Sequence, residues 1–153
     1  MVERLRGTPA RLEEMIRAIP AGLLTRKQSQ GWSIQKLVGH LISVEALFDK
    51  RLSEFIARAD ALTPADMTNR RTTDANYNAR DIGELLVEFR QVRMASVARY
   101  ESVGDEIIVH AAHHPRLDRP MRLIDIVYFL AEHDDHHLAE IVHLWRQCAA
   151  ETA

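Results

Sequence analysis

Two histidines four residues apart stand in the segment Leu130-Ala131-Glu132-His133-Asp134-Asp135-His136-His137-Leu138-Ala139-Glu140-Ile141. On a helix, residues four apart lie one above the other on one face, so His133 and His137 can aim two imidazoles at a single metal ion. They fall on the stripe Leu130, His133, His137, Ile141, Leu144, whose three- and four-residue steps mark the apolar side of an amphipathic helix. Burying neutral imidazoles without partners costs on the order of a few kcal/mol, so a metal ion, water or a carboxylate must satisfy their nitrogens. A third imidazole is placed in the same way. His40 interrupts the stripe Leu37, Val44, Leu47. Three inward histidines from two helices make a metal site that leaves coordination positions for water or substrate, provided the two helices are neighbours. Gly39, directly before His40, lowers helix propensity by roughly 1 kcal/mol relative to alanine. That cost points to close packing, or to space for a ligand, at this position.

The other chemistry-bearing residues read differently. His136 lies about 100° around the helix from His137, toward solvent or a place behind the ligands, and His143 reads as a surface residue. His110, His113 and His114 precede Pro115 in a polar connection; they are expected to be a solvated loop, the alternative being closure over a site. The outer spacing of His133 and His137 matches the zinc-protease pattern His-Glu-x-x-His. However, Asp134, one methylene shorter, stands where the general-base glutamate is needed, which speaks against proteolysis. No Gly-rich phosphate loop, Gly-x-Ser-x-Gly elbow or Cys-x-x-Cys pair occurs. Arg70 and Arg71 have the charge to hold an anionic substrate, or are simply solvated. The single cysteine, Cys148, reads as a packing residue at the end of the last helix.

The elements that must position these residues follow from composition and periodicity. The chain has 153 residues, 46% of them hydrophobic, enough for one domain spanning residues 1–153 with a substantial core. A net charge of −2 lacks the basic excess that nucleic-acid binding needs. No apolar run reaches the ~20 residues required to cross a bilayer. One cysteine and no charged-then-apolar leader make a cytoplasmic protein the expectation. Six glycines and five prolines, mostly outside the periodic stretches, predict an all-α chain. The first helix is expected from Thr8 as N-cap, with Pro9 at the first position, to Ile19, where Pro20 helps to stop it. The second is expected from Ser33 as N-cap to about Ala59. The third opens on Asp81 with Glu84 three residues on, a capping-box pattern, and runs to about Glu101. The fourth begins just after Pro120 and ends near Cys148. Leu62 to Arg80 is too long for a hairpin connection and reads as a crossover between helices two and three. In Ser102 to Pro120, Glu106-Ile107-Ile108-Val109 fits a short strand or a helical turn. The expected architecture is a four-helix bundle with that long crossover.

Gly31-Trp32-Ser33-Ile34 leading into Val38-Gly39-His40-Leu41, followed by Glu45, resembles the opening of the second helix in the DinB/YfiT-like superfamily. The segment from Glu132 to Ile141 resembles that superfamily's fourth-helix HxxxH motif. The resemblance covers nearly the whole chain. It implies a divalent metal, nickel or zinc, on His40, His133 and His137, and a homodimer acting on a small-molecule substrate. It also implies a thiol-dependent transferase or isomerase activity, in which the metal activates a low-molecular-weight thiol. Glu45, Asp134, Asp135 and His136 are then candidates for orienting the ligand imidazoles or relaying a proton. Two features depart from the pattern: Gly39 stands where alanine is common, and Asp134-Asp135 is unusually acidic. A hydrolase using water in place of the thiol, a non-catalytic stress-related dimer with a structural metal, and a metal-free binder remain as alternatives. If thiol chemistry occurs, the sulfur comes with a small molecule, since the chain offers only Cys148.

Overall fold

The computed structural model describes residues 1–27 and 31–150. Its helices are α1 (Val2–Ala18), α2 (Ala21–Leu24), α3 (Ile34–Ile56), α4 (Arg70–Asp74), α5 (Ile82–Glu101), α6 (Asp105–Ile108) and α7 (Leu123–Ala150). A 3₁₀ turn spans Tyr77–Ala79, and an antiparallel hairpin pairs β1 (Ala111–His114) with β2 (Arg119–Arg122). The four long helices, α1, α3, α5 and α7, form the bundle that the sequence predicts. Each of α1 and α3 packs against both α5 and α7, so helices α1 and α3 occupy opposite corners. The neighbours α3 and α5 pass through the core in the same direction, Leu41 before Phe48 and Phe89 before Val97, and such a parallel pair requires the long crossover between them. No helix among the described residues is long and apolar enough to cross a membrane.

Two apolar layers fill the bundle, and a polar layer separates them. Leu5, Phe48, Val97 and Leu130 belong to one apolar layer, and Leu12, Leu41, Phe89 and Leu138 to the other. Between them each helix contributes a buried polar residue: Thr8, Glu45, Arg93 and Asp134. Thr8 is therefore not the N-cap of the first helix. The helix starts at Val2, and Thr8 lies inside it, with Oγ1 3.0 Å from Asp134 Oδ2 and 3.1 Å from the Arg4 carbonyl. Pro9 is also internal and removes the amide that would bond the Leu5 carbonyl, a defect of about 3 kcal/mol in an isolated helix. Burial of Leu5 and Leu12 on either side, each contributing roughly 1.5–3 kcal/mol, keeps the helix continuous.

The other helix starts lie where the sequence marks them. Ser33 Oγ accepts from Lys36 N at 3.1 Å, and Asp81 Oδ1 accepts from Glu84 N at 3.0 Å. α3 ends at Ile56 rather than near Ala59. Arg58 turns left-handed (φ 52°), Ala59 N bonds Glu54 O, and Arg58 N bonds Phe55 O, which is the Schellman pattern of closure. The Glu106–Val109 ambiguity resolves as the helical turn α6. β1 follows it and includes His113 and His114. Its alternation turns Ala112 and His114 inward and His113 outward, so His114 is buried and not part of a solvated loop.

The crossover is fastened to α3 at several points. Gln35 Nε2 donates to the carbonyls of Tyr77 (2.8 Å) and Arg80 (2.7 Å), and Tyr77 Oη lies 2.8 Å from Ser43 Oγ. The Tyr77 ring lies flat against Gly39, where a Cβ would sit only 2.1 Å from Tyr77 Cγ. Close packing is the reason for glycine at that point. Gly39→Ala is therefore expected to lower stability by about 1–3 kcal/mol despite alanine's better helix propensity. Chemical denaturation of the single variants and of Gly39→Ala with Tyr77→Ala checks this, because the penalty should shrink once the ring is gone.

Candidate metal centre

α3 carries His40 and α7 carries His133 and His137; the packing of these helices brings the three imidazoles together. His133 Nε2 lies 3.2 Å from His40 Nε2 and 3.2 Å from His137 Nε2. One ligand atom from each residue falls within 4.8 Å of the others. His137 Nδ1 is 2.9 Å from Glu140 Oε2. A carboxylate only accepts, so Nδ1 carries the proton and Nε2 presents a lone pair. His40 Nδ1 is 3.0 Å from Thr72 Oγ1, and a proton donated there leaves Nε2 free in the same way. His133 Nδ1 is buried with no hydrogen-bond partner among the described residues. Burial, with the neighbouring His137 and His133 as further causes, pushes the His40 pKa down to about 3. Burial and the neighbouring His137 push His133 to about 4. His137 is also lowered by burial, against the opposing pull of Glu140. Three neutral imidazoles therefore meet at one point, His40 and His137 with lone pairs on Nε2, and a single proton on His133 Nε2 could satisfy only one of the two. A divalent cation of borderline softness fits this donor set.

The residues considered as supports fall elsewhere. Asp134 is fully buried and accepts from Arg93 Nη2 at 3.0 Å and from Arg93 Nη1. Glu45 Oε1 accepts from Arg93 Nε at 2.7 Å, and its Oε2 accepts from Ser96 Oγ at 2.6 Å. Asp135 pairs with Arg4 and Arg11. None of the three carboxylates makes a hydrogen bond to a ligand imidazole; Thr72 and Glu140 do so instead. His136 is exposed, its ring centroid 5.2 Å from that of His137, and with Glu140 and His137 it forms a second, more open group of donors. His143 is exposed and Cys148 is buried, as the sequence suggests. Glu140 had a sequence signal, being three residues after His137 on one helix face. Arg93 had one too, interrupting the stripe Leu85, Phe89, Val97, Tyr100 as the histidines interrupt theirs. Nothing in the sequence marks Thr72, because only the folded crossover brings it to His40.

A cavity of about 490 Å³ opens onto the three imidazoles. Trp32 stands at its edge, ring centroid 4.8 Å from that of His40, and Val44, Leu47, Phe48 and Phe129 give it apolar walls. Crossover residues Pro64 to Met67 and hairpin residues His114 to Leu117 close the far side. The hairpin is fastened there by His113 N donating to Asp60 O (2.8 Å) and Leu62 N donating to His113 O (2.9 Å).

Comparison with known proteins identifies the family and the fold. The family model for the DinB superfamily matches residues 4–141. The chain belongs to the DinB superfamily. Among solved structures it is similar to YfiT from Bacillus subtilis, described as a probable metal-dependent hydrolase with an unusual four-helix bundle topology. That match has a TM-score of 0.78 at 19% identity and covers 97% of this chain and 85% of that one. It is also similar to a mycothiol-dependent maleylpyruvate isomerase, with a TM-score of 0.73 at 8% identity, covering 92% of this chain and 58% of that one. Comparison with curated protein sequences finds no match.

Two outcomes follow for the DinB chain. Imidazoles whose folded pKa lies below the ordinary 6.5 take up protons more readily in the unfolded chain, so stability falls as pH drops from about 6.5 toward 3–4. Denaturation midpoints of chelator-treated protein between pH 7 and 4 should show this slope, and His40→Leu should flatten it. Arg93→Met, which strands two buried carboxylates, should cost about 3–5 kcal/mol. A calorimetric Tm unchanged from wild type would contradict that assignment.

Proposed function

We propose that this chain is a metal-dependent enzyme whose His40, His133 and His137 hold a divalent ion, nickel or zinc, through Nε2, at the end of a substrate cavity. The observation that carries this reading is the meeting of three neutral imidazoles in the wall of a 490 Å³ cavity. When bound, such an ion would lower the pKa of a coordinated thiol and supply a nucleophile at neutral pH. The chain's own residues prepare the place. Glu140 fixes the tautomer of His137, Thr72 orients His40, and Trp32, Phe48 and Phe129 limit water. A low-molecular-weight thiol is preferred over water on the likeness to a mycothiol-dependent isomerase. A thiol-dependent transferase or isomerase is the resulting reading. Hydrolysis is the second reading, supported by the likeness to a probable metal-dependent hydrolase. A homodimer, a cytoplasmic location and a small-molecule substrate belong to the same proposal.

Elemental analysis of untagged protein tests the first half: His137→Ala should lose the metal. Equal content in variant and wild type would sink the site. Glu140→Gln should weaken metal affinity about 10–100-fold, measured by competition with a chromogenic chelator. Metal-loaded protein incubated with several small thiols and electrophiles tests the second half. Acceleration that depends on thiol supports transfer, while turnover without any thiol supports hydrolysis.

A further inference from the structure

The same cavity carries positive charge that the metal reading does not use. Many arginines elsewhere are paired with carboxylates, among them Arg80 with Glu88, Arg90 with Glu13, Arg93 with Glu45 and Asp134, and Arg122 with Asp125, while the exposed Arg58, Arg119 and Arg146 are left to solvent. The adjacent Arg70 and Arg71 separate in the same way, Arg70 pairing with Asp74 while Arg71 lines the cavity. Arg51 and Arg116 line it as well, and none of these three guanidinium groups has an ion-pair partner among the described residues. Arg116 reaches only the Met67 sulfur, at 3.5 Å.

Arg51 is the exceptional one. It is 2% exposed, its Nε donates to the Thr63 carbonyl at 3.0 Å, and its Nη2 is buried without a partner. The carboxylate acting on it from a distance, Glu54, has its oxygens engaged by the Thr63 amide and hydroxyl. A buried cation without a counter-ion costs several kcal/mol, a cost that folding alone gives no reason to retain. His114, buried on the same wall, has its pKa lowered by burial and then by the charge of Arg51, with Arg116 a further contributor. Arg51 and Arg116 thus act on one point of the cavity wall, and Arg71 lines the same cavity. His40 and Arg51 sit three helical turns apart on one stripe of α3, with Val44, Leu47 and Phe48 between them, a separation of about 16 Å along the axis.

We infer that the cavity takes an elongated amphipathic anion: its carboxylate or phosphate group seats on Arg51, with Arg71 and Arg116 assisting, and its apolar body runs along Leu47 and Phe48 toward the imidazoles. The guanidinium fork suits either anionic group. The inference rests on the reading of this cavity as the substrate site, and it does not depend on a metal being bound.

Calorimetric binding of 4-phenylbutanoate, its neutral amide 4-phenylbutanamide, and 3-phenylpropylphosphonate tests it, using both metal-loaded and chelator-treated wild type. The acid should bind at least tenfold tighter than the amide in both forms, and the ranking of carboxylate against phosphonate identifies the preferred anion. Arg51→Met should erase the acid preference with metal content unchanged, and Arg51→Lys should keep part of it. Equal binding of acid and amide by wild type would overturn the proposal. So would a preference that survives in Arg51→Met, or one seen only with metal, since the carboxylate would then be ligating the ion. Should Arg51→Met not fold, Arg116→Ala at the exposed mouth must still reduce the preference, and no reduction counts against the proposal. Failure of the metal reading shows separately, as absent metal with the acid preference intact in chelator-treated protein.

Discussion

The ion-pair group centred on Arg93 is the constraint on which the rest of the bundle depends. Its guanidinium has no exposed surface and binds Glu45 from α3 and Asp134 from α7, while Thr8 of α1 reaches the same Asp134. Burial works against the charge of Arg93, but the hydrogen bonds and charges of Asp134 and Glu45 overcome it and hold its pKa above the ordinary value. Apolar layers above and below tolerate small sliding, since leucine against leucine is nearly indifferent to register. A guanidinium with two carboxylates is not. Moving any one helix by a turn would strand a charge in a dry interior at a cost of several kcal/mol.

The register so fixed is also the register of the three-imidazole group that could hold a metal ion. Asp134 is the residue after His133, and Glu45 lies five residues after His40, so locking Asp134 to Glu45 through Arg93 brings His40 opposite His133 and His137. The three imidazoles are unfavourable neighbours on their own, because His40 and His137 both turn a lone pair toward His133 Nε2. The ionic group supplies the rigidity that holds them there. Asp134 and Glu45 thus act on the site through helix position, with no contact to an imidazole, which corrects the expectation that these carboxylates would orient the ligands.

What was legible in the sequence followed from periodicity, and what was not followed from contacts between distant segments. Ser33 and Asp81 announce helix starts because capping is local, within three residues. His40, His133 and His137 stand out because each breaks an apolar stripe, and by the same rule Arg93 should have stood out as well. Thr8 misled because Thr-Pro is a helix-start signature, whereas its hydroxyl serves Asp134 across the bundle. His114 misled because a polar run with Pro115 and Pro120 resembles a loop; only pairing of residues 111–114 with 119–122 imposes the alternation that turns it inward. Arg51 breaks the same stripe as His40 and was equally open to that rule, whereas Thr72 and Tyr77 carry no local sign, since their meaning comes from how the crossover folds over α3. Gly39 was half legible: its helix cost signalled a close approach without naming Tyr77 as the partner.

This division of labour has a consequence for how function is built on the bundle. Helices α3 and α7 supply the imidazoles, and their positions are set by buried charge that tolerates little change. The far side of the cavity is made instead by the crossover and the hairpin, which are fastened by a few backbone bonds, at Asp60, Leu62 and His113, and by Gln35 on the 3₁₀ turn. Substitutions in those segments can alter what the cavity accepts while leaving the imidazole geometry in place, because the Arg93 group takes its hydrogen bonds and ion pairs from the four long helices. Thr72 is the exception, since it belongs to the crossover yet bonds His40. Through it, a ligand that displaces the crossover would also change the orientation of one imidazole, coupling occupancy of the cavity to the electronic state of the centre.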